Sequence, residues 1–208
     1  LARLKEFEMI EKTDNKISFE LVYSEETLKV YPYKFSLKIT YTLVENGVIT
    51  AYTVENKDDK EIYFSIGAHP AFMCPMMSGE IIEDYYFEFN EKENCDIMLI
   101  TKDGYVSRER KEYFNDSNII PLSFNTFKDA LVFDSLKSTK ISLKSVNHNK
   151  ELTMDFTGFP YMGLWTKATG APFVCIEPWY GHADFEDFNG ELKDKAGIEK
   201  LEVGEVFN

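Results

Sequence analysis

The sequence predicts an all-β sandwich, on three observations. Runs of alternating apolar and polar residues recur along the chain, polar turn-rich spacers separate them, and convincing helical periodicity is absent. Residues 16–23 read KISFELVY, with Ile17, Phe19 and Leu21 on one face. Residues 35–44 read FSLKITYTLV, where Leu37, Ile39, Tyr41 and Leu43 alternate with Ser36, Lys38, Thr40 and Thr42, the pattern of a half-buried strand. Glu45-Asn46-Gly47 follows, and residues 48–54 alternate again. Asn-Gly supplies the positive φ angles of a type I′ turn, so residues 35–55 are expected to form an antiparallel hairpin. Further strands are expected at 61–66, 85–89, 96–100, 130–134, 140–143, 151–156, 163–167 and 173–176, with spacers such as Lys57-Asp58-Asp59 and Asn147-His148-Asn149. One short helix is expected at 192–196, just before Gly197. No repeat, low-complexity tract or linker interrupts the pattern, which predicts a single domain over residues 1–208.

Composition narrows the function classes. The 208 residues are 44% apolar with 17 Phe and 12 Tyr, enough for a sizeable core and unlike a disordered chain. The formal charge of −13 repels phosphate backbones and anionic headgroups, so neither nucleic acid nor membrane is expected as a partner. No apolar run approaches the roughly 20 residues of a membrane-spanning helix. Cys74, Cys95 and Cys175 are far apart and form no CxxC, so reduced thiols in a cytoplasmic protein are the simpler account. The acidic composition carries no oligomer signal.

Two stretches break the strand pattern, and sites tend to show where local rules fail. In Ile66-Gly67-Ala68-His69-Pro70-Ala71-Phe72, Pro70 removes a backbone donor and holds His69 extended, which narrows where the imidazole points. A structural histidine bonded to a carbonyl suits the same position. In Phe173-Val174-Cys175-Ile176-Glu177-Pro178-Trp179-Tyr180-Gly181, a carboxylate closes an apolar strand and two aromatics follow it. Burying a carboxylate there costs roughly several kcal/mol unless it is paired, whereas a strand-end Glu turned to solvent costs nothing. The aromatic company favours a carbohydrate pocket. His148 and His182 are expected to face solvent. One His and one Glu suggest acid–base chemistry, and no phosphate loop, nucleophile elbow or Cys/His metal cluster accompanies them.

These stretches resemble the aldose 1-epimerase (galactose mutarotase-like) family. Gly67-Ala68-His69-Pro70-Ala71-Phe72 is similar to its G-x-H-P-x-F segment, which carries the histidine acid. Cys175-Ile176-Glu177-Pro178-Trp179 is similar to the segment carrying the glutamate base, in the E-P-W form of a bacterial branch. Leu1-Ala2-Arg3 resembles the tail of an H-G-x-A-R segment whose Arg contacts sugar, and residues 129–133 resemble the stretch holding a sugar-binding Asp. Residues 195–205 resemble the closing segment. The family pattern places a second histidine and further strands ahead of Leu1 and a final strand beyond Asn208, so this chain is expected to be incomplete at both ends.

The resemblance implies a β-supersandwich and an isomerase that interconverts α and β anomers of a hexose without cofactor or metal. It implies Glu177 as base and His69 as acid, Arg3 and Asp129 holding sugar hydroxyls, and Phe72, Trp165 and Trp179 as walls, with Asp134 competing with Asp129. The partner is then a small aldose. The alternatives are a non-catalytic carbohydrate-binding protein on the same fold, a hexose-6-phosphate 1-epimerase, and a glycosidase or lyase, whose usual pair of carboxylates fits a His/Glu pair less well.

Overall fold

The computed structural model describes residues 1–208. Its strands, in chain order, are β1 (Glu8–Lys12), β2 (Lys16–Val22), β3 (Phe35–Val44), β4 (Gly47–Asn56), β5 (Ile62–Phe64), β6 (Ile66–Gly67), β7 (Ala71–Met73), β8 (Tyr85–Ile100), β9 (Val106–Pro121), β10 (Leu131–Phe133), β11 (Lys140–Ser145), β12 (Leu152–Asp155), β13 (Tyr161–Trp165), β14 (Phe173–Tyr180), β15 (Glu199–Leu201) and β16 (Val206–Phe207). No helix is long and apolar enough to cross a membrane. The chain divides into two compact units, residues 1–64 with 199–208, and residues 65–198.

The first unit is a five-stranded sheet in the order β1-β2-β3-β4-β16, with β15 paired to β5. The hairpin expected at 35–55 forms, but its turn differs from expectation. Val44 pairs with Gly47, so Glu45 and Asn46 make the two-residue loop, and neither Asn46 nor Gly47 has positive φ. Ladder pairing up to Val44 moved the turn one residue ahead of the Asn-Gly step. Along β3 the alternation also fades: Leu37 is buried, while Tyr41 and Leu43 are exposed. The Asn56 side-chain amide donates to the carbonyls of Lys60 and Leu201 at 2.9 and 3.0 Å, which ties the end of β4 to the closing segment.

The second unit is a nine-stranded sheet. Its main path runs β12-β11-β8-β10-β13-β14-β6, with β7 also on β14 and β9 on β8. One face buries an aromatic and aliphatic core that includes Phe87, Phe89, Phe133, Leu164, Val174 and Ile176. The other face carries a smaller cluster of Met98, Val106 and Val132, against which Tyr161 and Trp179 pack. The two-residue period of β14 separates them: Val174 and Ile176 enter the core, and Cys175, Glu177 and Trp179 face the other way.

The expected short strands at 85–89 and 96–100 are one 16-residue strand, β8, and the polar residues 90–95 between them lie inside it. Register shifts on either side of Glu93 accommodate the polar stretch. Its partner β9 is too charged for the alternation rule to reveal. The helix expected at 192–196 is a single 3₁₀ turn, Leu192–Asp194.

Glu93 shows how polar residues are held inside β8. Its side chain is completely buried, and its carboxylate accepts the backbone N–H of Ser138 at 2.8 Å and of Lys137 at 3.1 Å. These bonds tie the segment leaving β10 back to β8. Glu93→Ala leaves both donors without an acceptor and is expected to cost about 2–4 kcal/mol. Chemical denaturation checks this, and a loss below about 0.5 kcal/mol, the level of an ordinary surface change, contradicts it.

Candidate active site

Strands β6 and β7 lie in line along one edge of β14. Gly67 pairs with Trp179, and beyond a break Ala71 pairs with Cys175. The register is the same on both sides, so Ala68, His69 and Pro70 span the same length as Pro178, Glu177 and Ile176. His69 therefore falls opposite Glu177. The two prolines make the break. The Ala68 N–H donates to the Pro178 carbonyl at 3.0 Å, but Pro178 has no N–H to return, and Pro70 has none either. Because Ala68 and Pro178 occupy a hydrogen-bonded position, His69 and Glu177 occupy the next, non-hydrogen-bonded one, where side chains approach most closely. The His69 Nδ1 lies 3.4 Å from the Glu177 Oε1.

Glu177 is thus interior to β14, not at the strand end expected from sequence. Pro178 is tolerated there because its missing donor faces the interrupted edge. Glu177 is 7% exposed and His69 is 62% exposed, so one partner is sheltered and the other stands at the surface. Burial pushes the Glu177 carboxyl up to about 7, while a hydrogen bond from the Trp179 side chain pulls the other way. The Trp165 ring meets His69 edge-on, with centroids 6.3 Å apart. Cys175, one strand repeat before Glu177, is 1% exposed. Burial, then the neighbouring Glu177, pushes its thiol up to about 11.

These groups open onto a cavity of about 260 Å³ whose lining includes His69, Ala130, Gly163, Trp165, Glu177 and Trp179. Two glycines allow Trp179 to lie across this face. A Cβ on Gly67 would stand 2.5 Å from the indole Cδ1, and one on Gly163 would stand 2.5 Å from its Cζ2. The arrangement is chemically capable of moving a proton to or from a small molecule held against aromatic walls.

The chain matches the sequence profile described as aldose 1-epimerase over residues 1–196. It belongs to the aldose 1-epimerase family. It is similar to protein LacX (chromosomal) of Lactococcus lactis subsp. lactis, with 34% identity over 203 residues, 96% of this chain and 68% of the relative. Among solved structures, a galactose mutarotase related enzyme from Lactobacillus acidophilus superposes with TM-score 0.91 at 35% identity, over 99% of this chain and 69% of that one. A galactose mutarotase-like protein from Lactobacillus casei ATCC 334 gives 0.90 at 26% identity, over 99% and 71%. The chain therefore spans about two thirds of these relatives, and its all-β fold is the galactose mutarotase-like β-supersandwich expected from sequence.

Not every residue carried over from the aldose 1-epimerase pattern gathers at the pocket. Trp165 and Trp179 line it, but Phe72 does not. Phe72 pairs with Val174 on the opposite sheet face and packs against the core. Asp129 is exposed and lines a separate, larger depression of about 1030 Å³; only its neighbour Ala130 reaches the small cavity. Asp134 is engaged by Arg110, whose Nη1 donates to it at 2.8 Å. Arg3 is exposed in a 3₁₀ turn, Ala2–Leu4, of the first unit.

Two histidines expected to face solvent are half-buried. His148 lies 3.3 Å from Glu80 and 3.3 Å from the Tyr85 hydroxyl. His182 packs edge-on against Tyr161 and Phe185. Cys175 is not marked by any motif in the sequence, but period two from Glu177 along β14 places it on the same face.

Gly163→Ala tests the clearance under Trp179. The added methyl must displace the indole or bend β13, and overpacking of this kind is expected to cost about 1–3 kcal/mol. Chemical denaturation with tryptophan emission reads both effects; unchanged stability and emission contradict the placement.

Proposed function

We propose that the protein is an aldose 1-epimerase that interconverts the α and β anomers of a hexose by acid–base ring opening and reclosure. The observation that carries this reading is the direct apposition of His69 and Glu177 at 3.4 Å on the wall of a small aromatic cavity. Glu177 takes the proton of the C1 hydroxyl while His69, as imidazolium, protonates the ring oxygen. The C1–O5 bond breaks and leaves an open-chain aldehyde. Rotation about C1–C2 presents the other carbonyl face, and reclosure with reversed proton roles gives the opposite anomer. Each transfer needs only the acid and the base. Trp165 and Trp179 line the cavity, and indole rings suit the C–H side of a pyranose, which supports a sugar as substrate.

The burial of Glu177 serves this chemistry. A general base works best with a pKa near the working pH, and exclusion from water lifts this carboxyl from its ordinary 4.5 to about 7. The same shift opposes stability. The folded protein holds that proton more tightly than the unfolded chain, so stability contributed by the protonated form is lost as pH rises from about 4.5 to 7.

Glu177→Gln is expected to lower catalysed mutarotation by about 10²–10⁴-fold, read by polarimetry on a matched sugar. The acid limb of the wild-type pH–rate profile should rise with an apparent value near 7 as Glu177 ionises. The variant, having no charge to bury, should be at least as stable as wild type at pH above about 7. A wild-type rate in Glu177→Gln ends the assignment of the base. Sugar binding by calorimetry with no accelerated mutarotation in wild type would instead support a carbohydrate-binding protein.

A further inference from the structure

Cys175 has no part in the proton transfers above, yet its side chain stands with the two groups that do. The His69 ring nitrogen, the Cys175 Sγ and a Glu177 carboxylate oxygen all lie within 4.8 Å of one another. Strand geometry produces this. Cys175 and Glu177 are two residues apart on one face of β14, and His69 stands across from Glu177 on the adjoining edge. Opposite Cys175 on that edge is Ala71, a small residue two positions along the same face from His69.

We propose that His69, Cys175 and Glu177 form a binding site for a zinc-class divalent ion. Nitrogen, sulfur and oxygen donors together select a borderline ion over Mg²⁺ or Ca²⁺, which take oxygen ligands. Zinc bonds of roughly 2.0–2.3 Å require the donors to close by on the order of 1 Å, a movement the exposed His69 side chain supplies. The two buried donors form the floor of the site and His69 closes it from the surface. Three protein ligands leave a fourth tetrahedral position open toward the cavity. On coordination the Cys175 thiol gives up its proton to solvent and binds as thiolate.

The consequence is inhibition. An ion that holds the imidazole nitrogen and the carboxylate leaves neither available for proton transfer, so metal and sugar turnover exclude one another. That consequence rests on the proposed epimerase reading; the coordination itself does not.

The experiment is a titration of the full, reduced chain with Co²⁺ alone. One ion per chain should give a thiolate-to-cobalt charge-transfer band in the near ultraviolet, and Zn²⁺ should bleach it. Cys175→Ser should abolish the band, while Cys95→Ser, altering a thiol within the core cluster, should keep it. His69→Ala changes an exposed side chain and should weaken Co²⁺ binding by more than the roughly 10–100-fold typical of losing an outer-shell partner. If Cys175→Ser does not fold, the His69→Ala titration decides. No band in the folded wild type, a band that survives Cys175→Ser, or unchanged affinity in His69→Ala overturns the proposal. Zn²⁺ should also stop mutarotation and a chelator restore it. A chain that binds Co²⁺ as described but never turns over sugar would leave the metal site standing and remove the epimerase.

Discussion

A shared register on either side of a broken ladder carries the candidate site. Gly67 opposite Trp179 and Ala71 opposite Cys175 fix how β6 and β7 meet β14, and the three residues between them have no slack. His69 and Glu177, more than a hundred positions apart in sequence, are set against each other by strand pairing and not by a loop. Pro70 and Pro178 withhold donors from the positions flanking that pair, which opens the edge without moving the register. A one-residue slip would send His69 to the core face and leave Glu177 buried without its partner.

The surrounding residues maintain a carboxyl in an unfavourable place. Glu177 sits on a buried strand, and a hydrogen bond from Trp179 compensates part of the loss of water. Trp179 takes its position only because Gly67 and Gly163 lack side chains. Trp179, which walls the cavity, thus also helps to make the Glu177 carboxyl tolerable to the fold. If Glu177 is the base proposed here, the group that costs the fold stability is the one that activity requires, the usual tension between the two at a site.

Much of the architecture was legible in the chain, because half-buried strands announce themselves by alternation. The hairpin of β3 and β4 and the strands β2 and β11 follow from that rule. It failed where polar residues lie inside a strand, as at residues 90–95 of β8, and along the charged β9, because pairing and bonds such as those of Glu93 outweigh side-chain pattern. At the site, the prolines beside His69 and Glu177 mark both residues in the sequence, but β14 continues through Pro178 to Tyr180, and only that continuation puts Cys175 and Glu177 on one strand face. Phe72 lies on the core face, as parity requires: three residues from His69 along extended backbone is the opposite face. The half-buried settings of His148 and His182 depend on partners from distant segments, Glu80 for one and Tyr161 for the other, which no local pattern encodes.

The candidate site depends on a carboxyl that is sheltered from water while lying against an imidazole. A carboxyl-carbon NMR titration of Glu177 measures this without any sugar or turnover. The expected midpoint is near 7, lifted by burial from the ordinary 4.5. A midpoint at or below 4.5 would mean a solvated or firmly ion-paired carboxylate, and would contradict it.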